Sequence, residues 1–198
     1  MVYSAIMANH ESDFFRQRVR ERTAGQAAQP AAPQQSSEEV KHLLIVCTGN
    51  VCRSPMAAGL IRDRLDRDGL SDQIHVSSAG VFALEGDPAS ADGVAVLAER
   101  GVDISDHGAR QLDDQMLDQA DLTLVMEERH RQAIFARTPQ HLHKIMLFSE
   151  LAGEHEDVPD PYRQGRPAYE RTLVTLDSIL DAGWGRLLGR LGVTGGEG

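Results

Sequence analysis

The chain has 198 residues, of which 41% are hydrophobic, and its formal net charge at neutral pH is −10. This length and composition predict one domain with a sizeable core, plus a tail. The acidic balance argues against nucleic acid or an anionic membrane surface as a partner, because both require a basic face. The sequence has no apolar run long enough to span a membrane and no signal-peptide pattern.

Only two cysteines occur, and both lie in one short segment. This argues against a secreted disulfide scaffold and favours a reducing, cytoplasmic compartment. Residues 1–40 are predicted to form a flexible extension, because 24–37 are rich in Ala, Gln, Pro and Ser. We interpret the basic stretch at 14–20 as part of it, with a docking helix as the alternative. The domain is expected at 41–192, followed by a frayed end at 193–198.

Short apolar runs alternate with helical patterns from residue 41 onward. The runs predict strands at 43–46, 74–77, 122–126 and 145–148, with 74–77 at a sheet edge. The helical patterns lie at about 54–69, 88–101, 127–136 and 167–191. Near-continuous apolar strands are typical of a parallel sheet that is covered on both faces. We therefore predict a doubly wound α/β sandwich, with ligands bound beyond the carboxyl ends of the strands.

The segment Cys-Thr-Gly-Asn-Val-Cys-Arg-Ser-Pro occupies residues 47–55, between the first strand and the first helix. Such a loop can turn its N–H groups inward and aim a helix N-terminus at an anion. Gly49 and Asn50 tolerate the positive φ that this turn requires. Pro55 fits the first helical turn, and Ser54 is predicted as the N-cap residue.

The residue types in this loop indicate phosphoryl transfer. Inward N–H groups, the helix dipole and Arg53 favour the thiolate of Cys47, which would attack phosphorus and form a phosphocysteine. Arg53 can bind two phosphoryl oxygens at once, and Ser54 can donate its hydroxyl to the sulfur. The remaining predicted phosphate-binding positions are Thr48, Gly49, Asn50, Val51 and Cys52.

The general acid and base of the reaction is predicted within residues 157–162, Asp-Val-Pro-Asp-Pro-Tyr. Two flanking prolines stiffen the backbone at Asp160, so its carboxyl can be held over the loop. It would protonate the leaving oxygen and later deprotonate the attacking water. Asp157 is the alternative acid, and a capped turn without catalytic function is the alternative interpretation of the whole segment.

The chain resembles the low molecular weight protein tyrosine phosphatases. The resemblance covers about residues 41–191 and rests on the loop, on Ser-Ala-Gly at 78–80, on Ser-Asp-His-Gly-Ala-Arg at 105–110, on the strand ending in Met126 and on Asp-Pro-Tyr at 160–162. It implies a four-stranded parallel sheet and catalysis by Cys47, Arg53 and Asp160 without a metal or organic cofactor. His107 would be a structural residue that holds the loop, and Asn50 would bond within it.

Phe82 and Tyr162 are expected to form aromatic walls that bind an aryl phosphate. Two positions depart from the family pattern: Arg163 stands where a second aromatic residue is frequent, and residues 83–85 replace a frequent Trp. Relatives specialised for phosphoarginine carry a small polar residue at the position of Val51, so this valine favours phosphotyrosine. Cys52 is interpreted as a redox partner that protects Cys47, or as simple packing under the loop.

The sequence thus predicts a phosphatase that acts on phosphotyrosine in proteins. Its partner would be a phosphoprotein. The family resemblance alone implies that this partner is a tyrosine kinase that controls envelope polysaccharide export. The rival hypotheses are an arsenate reductase that uses an external thiol, a protein-arginine phosphatase, and a non-catalytic phosphate-binding module. The oligomeric state stays open.

Overall fold

The structure is a computed structural model, and it describes residues 39–194. The predicted flexible extension therefore lies outside the described residues, except for its last two positions. The predicted frayed end is described only for Val193 and Thr194.

A four-stranded parallel sheet with the order β2-β1-β3-β4 forms the centre of the domain. Its strands are β1 Lys41–Cys47, β2 Ile74–Gly80, β3 Leu122–Val125 and β4 Ile145–Leu147. The parallel sheet and the edge position of β2 confirm the predicted fold class. The fourth strand is one residue shorter than predicted, because Phe148 begins a 3₁₀ helix, Phe148–Ala152.

Among the described residues, five α-helices surround the sheet, together with a second 3₁₀ helix at Pro139–Lys144. They are α1 Arg53–Asp68, α2 Ala91–Ala98, α3 Asp114–Gln119, α4 Glu128–Arg137 and α5 Arg166–Leu191. The helix predicted at 88–101 is shorter, because Pro88 forms a β-bridge with Gly108 and the Ser90 N–H donates to the Val51 carbonyl. Helix α3 was not predicted, since its six residues are too few for a clear apolar period.

Alternate side chains of β1 enter two separate cores, as the period of a strand requires. Leu43, Ile45 and Cys47 pack with residues of α1, α2 and α5, whereas Leu44 and Val46 pack with residues of α3 and α4. The sheet is therefore the middle layer of a three-layer sandwich. Within residues 39–194, no helix has the length and apolar character that crossing a membrane requires.

Candidate active site

The loop that follows β1 leads directly into α1. This helix begins at Arg53, so the predicted N-cap is wrong: Cys52 occupies that position and its side chain makes no capping hydrogen bond. Ser54 lies in the first helical turn instead. Its hydroxyl is 3.0 Å from the sulfur of Cys47, which explains why it does not cap the helix.

The backbone N–H groups of residues 49–53 donate to no protein acceptor in the part of the chain that the structure describes. They belong to a tight loop and to the first turn of α1, where N–H groups are left free by the helix geometry. Cys47, whose exposed fraction is only 2%, lies at the end of the central strand β1 beneath this loop. The arrangement suits a dianion that approaches the sulfur.

Asn50 holds one side of the loop through neutral hydrogen bonds. Its Nδ2 donates to the hydroxyls of Ser54 at 2.8 Å and Ser78 at 2.9 Å, and its Oδ1 accepts from the Arg110 N–H at 2.8 Å. Its carbonyl oxygen lies 2.7 Å from His107 Nε2. Burial lowers the pKa of His107, against the opposing effect of this bond, so a neutral imidazole can donate here. These contacts confirm the structural role expected for Asn50 and His107.

Two backbone features fix the shape of the loop. Asn50 has a φ of 55°, a left-handed conformation that asparagine tolerates better than most residues. Gly80, at the end of β2, passes so close to the loop that a Cβ atom would lie 2.6 Å from the Thr48 carbonyl oxygen. Only glycine fits there, which explains why the Ser-Ala-Gly segment at 78–80 ends in glycine.

Arg53 forms the other side of the loop, and its side chain is only 1% exposed. Its Nη1 donates to Glu127 and to the Val158 carbonyl, the latter at 2.9 Å. Its Nη2 lies 2.8 Å from Asp160 Oδ2 and 3.3 Å from Thr48 Oγ1. The guanidinium is therefore held in one plane by groups from three separate segments.

Glu127, Arg129 and His130 were not predicted as site residues. Burial opposes the ionisation of Glu127, but hydrogen bonds from Arg129 and Arg53 outweigh it, so the pKa of Glu127 lies below its usual value. Burial lowers the pKa of His130 to about 4, and its Nε2 lies 2.9 Å from Thr48 Oγ1. Since two guanidinium groups donate to that oxygen, we assign the Thr48 hydroxyl as donor to a neutral His130.

A cleft of about 240 Å³ opens above the sulfur. It brings together all the sequence-predicted site residues except Asn50 and Ser54, which are fully buried behind the loop. Leu84 and Asp87 also line it and were not predicted. Phe82 and Tyr162, which are 77% and 51% exposed, lie at the rim. The cleft is lined by Cys47, Thr48, Gly49, Val51, Cys52, Arg53, Phe82, Leu84, Asp87, Asp160 and Tyr162.

The structure also bears on two further hypotheses from the sequence, Asp157 as the alternative acid and Cys52 as a redox partner. Asp157 accepts a hydrogen bond of 2.8 Å from the Glu128 N–H at the start of α4 and does not line the cleft, so its position does not favour it as the acid. The Cys52 thiol lies 3.2 Å from the Tyr169 hydroxyl, and burial raises the pKa of both groups. Its redox role stays a prediction. Across residues 39–194, no three potential metal ligands among His, Cys, Asp and Glu converge.

A family model described as low molecular weight phosphotyrosine protein phosphatase matches residues 42–187. The chain belongs to this family. A probable low molecular weight protein-tyrosine-phosphatase of Ralstonia nicotianae, EpsP, is 40% identical over 143 residues, which cover 72% of this chain and 93% of that protein. The protein-arginine-phosphatase of Bacillus subtilis is 34% identical over 139 residues, covering 70% and 91%.

A solved structure of a family member also resembles the chain. The low molecular weight protein tyrosine phosphatase from T. tengcongensis superimposes with a TM-score of 0.70 at 39% identity, covering 74% of this chain and 99% of that one. The family predicted from the resemblance and the fold predicted from the strand and helix patterns are thereby confirmed, and the chain is a phosphatase of this family.

Proposed function

We propose that this phosphatase hydrolyses phosphotyrosine in proteins through a phosphocysteine intermediate. One observation carries the proposal: Cys47, Arg53 and Asp160 line a single cleft whose floor is the sulfur and whose rim holds two exposed aromatic side chains. This combination supplies a nucleophile, a cationic clamp and a proton donor at one point.

In the first step, the Cys47 thiolate attacks phosphorus and the bond from phosphorus to the phenolic oxygen breaks. The loop N–H groups and Arg53 stabilise the charge on the three equatorial oxygens. The Asp160 carboxyl transfers its proton to the departing oxygen, and the dephosphorylated tyrosine side chain of the substrate protein leaves. Ser54, 3.0 Å from the sulfur, donates its hydroxyl to the thiolate.

In the second step, water attacks the phosphocysteine and the sulfur–phosphorus bond breaks. Asp160, now ionised, takes a proton from that water, so inorganic phosphate and the Cys47 thiolate are released. The same Ser54 hydroxyl stabilises the sulfur as it leaves.

The ion pair between Asp160 and Arg53 imposes an order on these events. The carboxylate lies 2.8 Å from Arg53 Nη2, where a phosphoryl oxygen of the substrate would bind. Substrate must therefore displace Asp160 from the arginine, and the displaced carboxyl is then free to face the departing oxygen. Binding thus prepares the acid.

Phosphoarginine is the second candidate substrate, and Asp87 is the observation that favours it. This residue adds a second carboxylate to the wall of the cleft, and two carboxylates suit a guanidinium leaving group. Val51, which is apolar and lies in the same cleft, favours an aryl group instead. With the first candidate, the partner that we propose is a phosphoprotein of the cytoplasm such as a tyrosine kinase.

The test compares kcat/KM for one peptide carrying phosphotyrosine or phosphoarginine, and adds arsenate reduction with an external thiol. We expect phosphotyrosine to be preferred and arsenate reduction to be absent. Cys47→Ser should abolish turnover, whereas Cys52→Ser, its matched control in the same loop, should retain it. Preference for phosphoarginine would select the second candidate, and hydrolysis by the Cys47→Ser protein would overturn the mechanism.

A further inference from the structure

A second polar cleft lies behind the loop, and we call it the rear cleft. It has a volume of about 500 Å³ and is formed by α1, the outer edge of β2 and the segment 104–110. It shares no lining residue with the active cleft. Two arginines and two histidines line it: Arg62, Arg110, His75 and His107.

The rear cleft has a net positive charge, because, among the described residues, two arginines and a single carboxylate line it. Within residues 39–194, neither Arg62 nor Arg110 has a carboxylate oxygen within 4.0 Å. Asp106 is the acidic residue that lines this cleft, and it pairs with neither arginine.

Capping of the edge strand explains only part of this arrangement. Arg62 donates from Nε and Nη2 to the Val76 carbonyl, at 3.3 and 3.0 Å, and Arg110 donates from Nη2 to the Ser78 carbonyl at 3.0 Å. These bonds fix both side chains along β2. They leave Nη1 of Arg62, and Nε and Nη1 of Arg110, with no protein acceptor among the described residues.

The charged groups in the rear cleft affect one another. Desolvation lowers the pKa of Arg62, and Arg110 lowers it further against the opposing effect of Asp106. Desolvation also lowers the pKa of His75, with further contributions from His42, Arg62 and Arg110. An anion between the two guanidinium groups would relieve this repulsion. Guanidinium groups with free, fixed N–H donors match the oxygens of a phosphate.

We propose that the rear cleft is a second anion site, which binds a small phosphate-bearing molecule between Arg62 and Arg110. The site contacts the catalytic loop, because the Arg110 N–H donates to Asn50 Oδ1 and its guanidinium holds the strand next to Ser78. The bound molecule is therefore positioned to stabilise the loop from behind, without entering the active cleft.

The experiment measures binding stoichiometry by calorimetry, with the Cys47→Ser protein so that no probe is hydrolysed. Pyrophosphate is the first probe and ADP the second, which distinguishes a free polyphosphate site from a nucleotide site. We expect two equivalents per chain, one in the catalytic loop and one in the rear cleft. Adding Arg62→Gln should weaken the second equivalent by at least about tenfold, since it removes a charge-assisted contact.

Arg67→Gln is the matched control, because Arg67 lies on the same helix, pairs with Asp63 and does not line the rear cleft. The first equivalent should bind with unchanged affinity in both variants, which shows that the loop is still folded. A single equivalent for both probes in the Cys47→Ser protein would overturn the proposal. So would a second equivalent that Arg62→Gln leaves intact.

Discussion

The two sides of the catalytic loop are built from different kinds of contact. On the Asn50 side, neutral groups from α1, β2 and the segment 105–110 meet the buried Asn50 in hydrogen bonds of 2.7 to 2.9 Å. On the Arg53 side, a buried guanidinium contacts two carboxylates, those of Glu127 and Asp160. The contacts of Asn50 fix the backbone of the loop, whereas those of Arg53 hold charged side chains in place.

This difference separates stability from chemistry. The Asn50 contacts need not change during turnover, because no charge develops there. The Arg53 contacts must change, since the phosphoryl group takes the place of Asp160 while Glu127 stays in place. Substitutions on the Asn50 side should therefore act mainly on the free energy of unfolding, and substitutions of Asp160 mainly on kcat.

Asp160→Asn tests the chemical side and should have the largest effect. An amide cannot supply the proton, so kcat with a phosphotyrosine peptide should fall by about 10²–10⁴-fold. The loss should be smaller with para-nitrophenyl phosphate, whose leaving group is a weaker base and needs less protonation. Steady-state kinetics with both substrates measure this difference, and thermal unfolding should show an intact fold.

Asp157→Asn is the matched control for that substitution, since Asp157 caps the start of α4 and does not line the cleft. Its kcat should stay within about threefold of the parent value, well inside the range that acid–base catalysis supplies. If Asp157→Asn lost more activity than Asp160→Asn, the assignment of the acid would be wrong.

Asn50→Ala tests the structural side. It removes three side-chain hydrogen bonds from a fully buried site and places alanine at a φ of 55°. The free energy of unfolding should fall by about 3 kcal/mol, since each lost bond contributes about 1 kcal/mol. Asn50→Gly removes the same bonds without left-handed strain and should be about 1 kcal/mol more stable than Asn50→Ala. Denaturant unfolding measures both, and a loss below about 0.5 kcal/mol for Asn50→Ala would contradict the comparison.

The two sides also differ in how far the sequence predicts them. Residues 47–54 are consecutive, so their roles follow from one motif. Glu127 and His130 reach the loop only because β3 lies beside β1 in the sheet, an order that hydrophobic periodicity does not encode. The rule that ligands bind beyond the carboxyl ends of strands could have marked Glu127, which follows β3 closely. Helix α3 and the Cys52 N-cap depend on local backbone geometry, and the residue types around them do not specify it.

His130→Asn tests whether the histidine on the Arg53 side is neutral in the folded protein. Its folded pKa of about 4 lies below the ordinary value of 6.5, so the unfolded chain binds a proton first as the pH falls. Above pH 6.5 both states are neutral; between 6.5 and about 4, the histidine lowers stability by about 1.4 kcal/mol per pH unit. The variant should show a flatter stability profile in this window.

The variant should also lose about 1 kcal/mol at neutral pH, because the hydrogen bond with Thr48 is removed. His155→Asn is the control for replacing a histidine, since that side chain is 77% exposed. Denaturant unfolding at several pH values measures both proteins. Identical profiles for His130→Asn and the parent would mean that the folded and unfolded chains protonate His130 at the same pH, so that burial does not keep it neutral.

Arg129→Gln should have the smallest effect, and it compares an exposed arginine with the buried one on the Arg53 side of the loop. Arg129 pairs with Glu127 at 2.6 Å, but its side chain is 61% exposed, whereas that of Arg53 is 1% exposed. Exposed pairs contribute little, so the free energy of unfolding should fall by less than about 1 kcal/mol, as for the exposed Arg67→Gln control. Arg53 still holds Glu127, so kcat should change by less than about threefold, a barrier change of under about 1 kcal/mol. A loss as large as that of Asn50→Ala would mean that Glu127 depends on Arg129 rather than on Arg53. An exposed arginine, and not the buried one, would then hold this carboxylate in place.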